Sequence, residues 1–344
     1  MDHIFHAQLA NVFEHLSIES EGAFSLAGRR FQVTPNLNGS QFLPHPMPAD
    51  PLVRDLQAVL YAYCYSRPFK GAPLPQLDPL PAFDHAFVAH LSGANRSRET
   101  WNQGWAIYLS MADGRVFARK GDCQHMASAG DFVVSSDPHA LLQAGTTISL
   151  LQRRESIAAQ PGFYFAYGEA PNDVWDDYTL VRFYFHVESA GAAQLLEQIT
   201  SMLNVYDVPF QYKTLNAPAA YDRTDAAVLY LARRYYEVVA RLLFEREALL
   251  GKLLRAETPL FTRQLMNGIG VADDPGNGES FGMNRCRLVA EGLADAFRLR
   301  AGSIEDRMNM VQSRYALNRL SLSFPHLGAG LVDYPVIASS QEAA

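Results

Sequence analysis

The spacing of hydrophobic and polar positions changes several times along the chain, and each change predicts an element. Residues 4–16 repeat apolar positions at helical intervals, and a second helical stretch runs from Leu52 to about Tyr65 with Leu56, Leu60 and Cys64 in register. Between them, from about Gly28, lies a largely polar stretch that includes the prolines of residues 44–51. The prolines from Pro68 to Pro81 end the second helix, because the ring removes a donor and fixes φ. A third helix is predicted over Pro81 to Leu91. The period then shortens. Residues 105–110 and 115–119 flank Asp113-Gly114, a pair suited to the positive φ of a tight hairpin turn. Residues 131–134, 148–151 and 162–168 read as further short strands.

Two strand-like runs, Val181 to Val187 and Phe210 to Leu215, are separated by a helical segment. Alternate side chains of a strand share a face. Arg182, Tyr184 and His186 therefore project to one side, and Phe183, Phe185 and Val187 to the other. In the second run Gln211 and Lys213 share a side opposite Phe210, Tyr212 and Thr214. If the two strands are neighbours, a lysine joins an arginine and a histidine on one polar face. Otherwise Arg182 and Lys213 lie on the solvated side of a half-exposed sheet. From Ala226 to about Leu254 the spacing of Leu229, Tyr236, Val239 and Leu243 predicts a long helix, capped by Thr224 or Asp225. Residues 258–287 read as irregular, with Gly268, Gly270, Gly276 and Gly278 crowded around Asp273-Asp274-Pro275, before a helix through Leu293 and Phe297. The expected fold is α+β: a mostly antiparallel central sheet flanked by helices in residues 96–344, with a helical N-terminal part in residues 1–95 packed on it.

Composition adds limits. With 344 residues, 48% of them hydrophobic and 19% charged, the chain has enough apolar material for a sizeable core. A net charge of −7 argues against nucleic acid binding through the overall field. No run of about 18 apolar residues exists to span a membrane, and the start of the chain lacks the basic and apolar segments of a signal peptide, so a cytoplasmic protein is expected. Cys64, Cys123 and Cys286 form no Cys-x-x-Cys pair and are expected to be reduced, buried residues.

The familiar nucleotide, zinc, acyl-serine and kinase motifs are all absent. Asp176-Asp177 or Asp273-Asp274 would need further partners to hold a hard cation, and no metal is expected. What remains is arginine beside glycine. The run from Gly276 to Arg287 sets flexible backbone before Arg285 and Arg287 at a helix start, where amide donors and the dipole favour an anion. Arginine's planar fork suits phosphate oxygens. The competing reading is an Arg287/Glu291 pair on a solvated helix face. Arg223, between Asp222 and Asp225, suits either an anion site or a local salt bridge.

Several separate motifs, in order, give a resemblance. They are Leu56-Gln57, Leu60-Tyr61 and Cys64-Tyr-Ser-Arg67; Leu91-Ser-Gly-Ala-Asn95 with Trp101 and Gly104-Trp105; and Pro161-Gly-Phe-Tyr164. Val181-Arg-Phe-Tyr-Phe185, Pro209-Phe-Gln-Tyr-Lys-Thr-Leu-Asn216, Tyr221-Asp-Arg-Thr-Asp225 and Glu279-Ser-Phe-Gly-Met-Asn-Arg-Cys-Arg287 follow. From about residue 50 onward the chain resembles the HopA-type effector family, and most nearly the HopA-like lyase component of class V lanthipeptide and thioamitide biosynthesis. The resemblance implies an enzyme that removes phosphate from a precursor peptide after a separate Ser/Thr kinase has phosphorylated it, leaving dehydroalanine or dehydrobutyrine. The outcome is similar to that of OspF-type phosphothreonine lyases, in which a lysine is the base and a histidine the acid.

Elimination needs a base at the Cα proton, stabilisation of the enolate-like oxygen, and cations or an acid at the departing phosphate. It demands no cofactor and no metal. Lys213 is the candidate base and His186 the candidate acid, with Tyr184 or Tyr212 as fallback acids. Arg182, Arg223, Arg285 and Arg287 are candidates to hold phosphate, with Asp222 and Ser280 beside them as substrate contacts. Lys120 and His125 make a second, weaker set. The expected partners are the phosphorylated peptide and its kinase, without nucleic acid or membrane. The alternatives are a non-catalytic effector-like protein that binds a host protein or a phosphopeptide, and a carrier presenting peptide to its kinase. A chain that enters a helix almost at once, without a long Ser/Pro-rich start, favours the lyase.

Overall fold

The computed structural model describes residues 2–337 apart from 36–47, 78–82, 136–140, 172–175 and 177. The prolines at 44–46, the predicted start of the third helix and Asp177 lie outside the described residues. An α+β architecture results, built on a seven-stranded antiparallel sheet and a separate five-stranded one.

The seven-stranded sheet contains β9 (Glu155–Ser156), β10 (Phe163–Tyr167), β11 (Leu180–Phe185), β12 (Gln211–Leu215), β13 (Ala227–Ala232), β14 (Arg263–Met266) and β15 (Ile269–Asp273). Its order is β14-β15-β11-β13-β12-β10-β9. Two expectations are thereby corrected. Residues 227–232 are a central strand rather than the start of a long helix, and the helical stretch that follows is split into α5 (Tyr236–Phe244) and α6 (Glu247–Leu250). An unbroken apolar run, Ala-Val-Leu-Tyr-Leu-Ala, suits a strand buried on both faces as well as a helix. The stretch read as irregular holds the β14–β15 hairpin, turning at Asn267-Gly268. Gly268 has φ +74°, and a Cβ there would stand 2.2 Å from the Arg255 carbonyl oxygen, so only glycine fits.

Both faces of this sheet are covered. On one, Val181, Phe183, Phe185, Leu229 and Leu231 pack with α3 (His85–Ala94), α4 (Ser189–Val205) and α5. On the other, Tyr184, Val228 and Ala272 meet α2 (Pro51–Leu60), α7 (Phe281–Arg298) and a five-residue π-helical turn, Tyr61–Tyr65, that prolongs α2. Asp50 caps α2, accepting from the amides of Leu52 and Val53. Gly282 lets α7 approach the turn closely: a Cβ there would lie 2.3 Å from the Tyr65 ring.

Residues 1–95 are not purely helical. Helix α1 (Asp2–His15) runs into a meander of β1 (Leu16–Ser20), β2 (Ala23–Leu26) and β3 (Arg29–Gln32), of which only β3 lies in the segment read as polar from Gly28 onward. α1, the meander and α2 share one core with α7 and α8 (Ile304–Leu317), whereas α3 packs on the opposite side of the sheet. The five-stranded sheet, from β4 (Thr100–Ser110), β5 (Val116–Lys120), β6 (Cys123–Ala127), β7 (Phe132–Val134) and β8 (Thr147–Gln152), has its own small core around Trp105, Ile107 and Ile148. Its β4–β5 hairpin turns at Asp113-Gly114 as the sequence predicts. Among the described residues no helix is long and apolar enough to cross a membrane.

Candidate active site

β11 and β12 are not neighbours, because β13 lies between them. The register nevertheless unites their polar faces. Arg182 stands opposite Tyr230, which stands opposite Gln211; Tyr184 stands opposite Val228, which stands opposite Lys213. Directly opposed residues share a face, so Arg182, Tyr230 and Lys213 occupy one side of the sheet, the side under the α2/π-turn/α7 layer.

Lys213 is half-buried, with Nζ 4.6 Å from the centre of the Phe163 ring and 5.5 Å from that of Tyr230. Its only hydrogen bond among the described residues is a long one, 3.4 Å, to Gln160 Oε1, and it forms no ion pair with them. Cations over ring faces are held electrostatically without surrendering their charge to a carboxylate. Arg182 uses the same ring, its Cζ 5.1 Å from the Tyr230 centre, but is neutralised by Asp274, to which Nε donates at 2.6 Å. Asp274 is in turn oriented by the Gly276 amide.

Arg223 reaches the same region from the loop that follows β12. It holds Asp225 by a two-pronged pair, Nε to Oδ1 and Nη2 to Oδ2, both 2.8 Å, and donates to the Tyr61 hydroxyl at 2.8 Å. Tyr61 comes from the π turn and also donates to Asp225. π turns recur at functional sites because they re-aim a side chain within a helix. The loop is docked on the end of that turn: the Thr224 amide donates to the Ser66 carbonyl at 2.8 Å. Burial disfavours the charge on Asp225, yet Arg223, Tyr61 and nearby Lys213 together hold its carboxyl below the usual carboxylate range.

Other candidates stand elsewhere. His186 follows the end of β11 and turns to the 255–258 segment, with Nδ1 3.1 Å from the Glu257 carbonyl and 3.6 Å from its carboxylate. Burial lowers its tendency to hold a proton, a loss Glu257 only partly offsets. Two strand spacings and two residues along the strand separate it from Lys213, so the expected lysine–histidine pair does not form. Tyr212 is on the opposite face, fully buried against Phe185. Tyr184 is on the right face but lies under the helical layer between Tyr65 and Phe281, its hydroxyl buried without a hydrogen-bond partner among the described residues. Burial pushes it up, away from acid behaviour.

Two of the four arginines are structural. Arg285, 1% exposed, donates to the Pro325 and Leu327 carbonyls and to Asn284, anchoring the segment after α8. Arg287 is shared between Glu279 and Glu291, so the i,i+4 pair forms. Ser280 caps α7 by accepting from the Met283 amide, and Asp222 pairs with Arg67. Lys120 and His125 belong to the five-stranded sheet, where Lys120 donates to Asn102 at 2.7 Å and His125 lies beside Trp105.

Sequence reasoning missed Tyr230, Phe163, Tyr61, Asp225 and Asp274. The alternation of Val228 and Tyr230 with Leu229 and Leu231 was the available signal for the first. The acidic pair 273–274 serves arginines: Asp274 holds Arg182, and Asp273 accepts from Arg233 at 2.9 Å. Among the described residues no group of three or more His, Cys, Asp or Glu is placed to hold a metal.

Comparison with curated proteins gives no match. Among the solved structures that are similar, two share 15% identity with this chain. The effector protein from Pseudomonas syringae pv. tomato strain DC3000 covers 72% of this chain and 84% of its own, with a TM-score of 0.41. The effector protein from Pseudomonas syringae pv. syringae strain 61 covers 78% and 88%, with a TM-score of 0.42. The HopA1 effector protein family matches residues 155–327, a span that begins at β9 and contains the whole seven-stranded sheet with Arg182, Lys213 and Arg223. By that match the chain belongs to the HopA1 effector protein family.

Proposed function

We propose that the protein is a cytoplasmic phosphoserine/phosphothreonine lyase that eliminates phosphate from a kinase-phosphorylated precursor peptide in lanthipeptide-type biosynthesis, using neither metal nor cofactor. The observation that carries this reading is Lys213: a half-buried amine on the floor of the sheet, bracketed by Phe163 and Tyr230 and without a carboxylate partner among the described residues. A surface lysine would be solvated, and a purely structural one in this position would be ion-paired.

In the proposed step the Lys213 amine takes the Cα proton of the phosphorylated residue. The C–H electrons form the Cα=Cβ bond, the Cβ–O bond breaks, and phosphate departs with that electron pair. Arg223 and Arg182 flank the base and would receive the leaving anion, each held in place beforehand by Asp225 or Asp274. Charge-assisted arginine–phosphate bonds compete well with arginine–carboxylate ones. Departure of phosphate as a bound anion removes the need for His186 as proton donor.

Mass spectrometry of a phosphothreonine peptide incubated with the purified protein tests the reading. Wild type should yield the peptide lacking phosphoric acid. Lys213→Ala should retain peptide binding and lose elimination by about 10²-fold or more. Near-normal turnover in that variant would sink the assignment, and wild type that binds the phosphopeptide without eliminating phosphate would leave the effector-type binder in its place.

A further inference from the structure

β14 is an edge strand, and its outer side borders a cavity of about 550 Å³. Six consecutive residues, Thr262 through Asn267, touch this space. Successive residues of a strand point to opposite faces, so a cavity met by all of them runs along the backbone edge. Phe5, Phe244 and Phe324 supply apolar wall, and Phe324 is 38% exposed. His326 closes one side. Its Nε2 is held 2.8 Å from Asp333, while its Nδ1 is buried without a hydrogen-bond partner among the described residues.

A second cavity of about 200 Å³ shares Gln8, Thr258 and Gln264 with the first and extends to Arg67, whose guanidinium holds Asp222, next to Arg223 of the candidate site. The shared lining sets the two spaces side by side as a groove leading from the β14 edge to Arg67, beside the candidate phosphate-binding arginines. Its charge is one-sided. Arg263 and Arg67 are answered by Asp333 and Asp222, whereas Glu247 and Glu257 have no lysine or arginine partner among the described residues.

We propose that this groove takes an unphosphorylated, uncharged-to-basic segment of the peptide substrate, added in extended form as a strand along β14, with an aromatic or aliphatic side chain among Phe5, Phe244 and Phe324. Main-chain hydrogen bonds at a free edge supply affinity and the side-chain pocket supplies selectivity. The negative walls turn away the phosphorylated residue, which belongs at Lys213. β14 and β12 are four strand spacings apart, about 19 Å, a span that about six extended residues cover. The α2/π-turn/α7 layer covers the direct line, so one peptide occupying both places must pass around it and needs more than about six residues. The inference rests on the peptide-lyase reading for the identity of the occupant.

The test uses a fluorescein-labelled peptide of alternating Lys, Thr and Phe without phosphate, titrated into the full-length protein by fluorescence anisotropy, so that its result does not depend on elimination. Wild type should bind it. Phe324→Asp, a change at a partly exposed ring, should weaken binding about tenfold, as should N-methylation of the peptide's alternate amides, and Glu in place of Lys in the peptide should weaken it further. No binding to wild type, or equal binding of the N-methylated peptide or by Phe324→Asp, would overturn the strand-addition site. Intact binding with no elimination from any phosphopeptide would instead remove the lyase reading and leave the groove standing.

Discussion

The two faces of the seven-stranded sheet solve the same burial problem with opposite chemistry. Toward α4 and α5, β11 and β13 present Val181, Phe183, Phe185, Leu229 and Leu231, none more than 2% exposed. Toward α2 and α7 the same two strands present Arg182, Tyr184, Val228 and Tyr230, under a second helical layer. A charge under such a layer must be compensated, because desolvation disfavours it strongly. Arg182 and Arg223 meet this with Asp274 and Asp225. Lys213, farther toward the β9 edge, rests on aromatic faces, and this exception is what makes the second face a candidate for chemistry.

The sharpest way to break the comparison is to truncate adjacent residues of β11. Phe183→Ala removes a ring that is fully buried and stacked on Tyr236, and should cost about 3–5 kcal/mol by lost transfer energy and the cavity left behind. Thermal or denaturant unfolding will read it. Arg182→Ala is expected to cost about 3 kcal/mol, by leaving Asp274 without its counter-ion. The mechanisms separate in the double variant. Arg182→Met with Asp274→Leu should recover most of the loss, since an apolar pair of similar volume often replaces a buried ion pair without penalty. No such partner exists for Phe183. Failure of the double variant to recover would mean that Arg182 stabilises through Tyr230 rather than through Asp274.

How much of this was legible depends on whether a signal was local. Alternation along residues 181–187 correctly sorted Arg182 and Tyr184 from Phe183 and Phe185, and the same rule set Lys213 apart from Tyr212. Antiparallel pairing and the flanking helices followed from short strands and helical spacing. The strand order did not, because the element between β11 and β12 comes later in sequence and its apolar run also fits a helix. Local alternation also could not tell a solvated polar face from one roofed by α2 and α7, a difference created by elements far away in the sequence. That difference decides the arginines. Arg285 looked like an anion ligand at a helix start, but its second-turn position in α7 aims it at the carbonyls of residues 325 and 327.

His186 gives the smallest and most discriminating test, because it lies on the strand of Arg182 yet faces a different environment. Burial holds its folded-state value below the ordinary one of about 6.5. The unfolded chain therefore binds the proton more readily. This contribution to stability is present in full above pH 6.5 and falls as pH drops below it, until the folded value is reached. His186→Gln cannot titrate and should flatten stability between about pH 7.5 and 5.5, by no more than about 1.4 kcal/mol per pH unit. His326, also lowered by burial, will keep part of the slope. Denaturant unfolding of both proteins at the two pH values measures the difference. If His186 only ties β11 to Glu257, the variant changes this slope and leaves phosphate elimination at neutral pH intact. Loss of elimination with an unchanged slope would restore His186 as the acid, and would require the 255–258 segment to move away from it when the peptide binds.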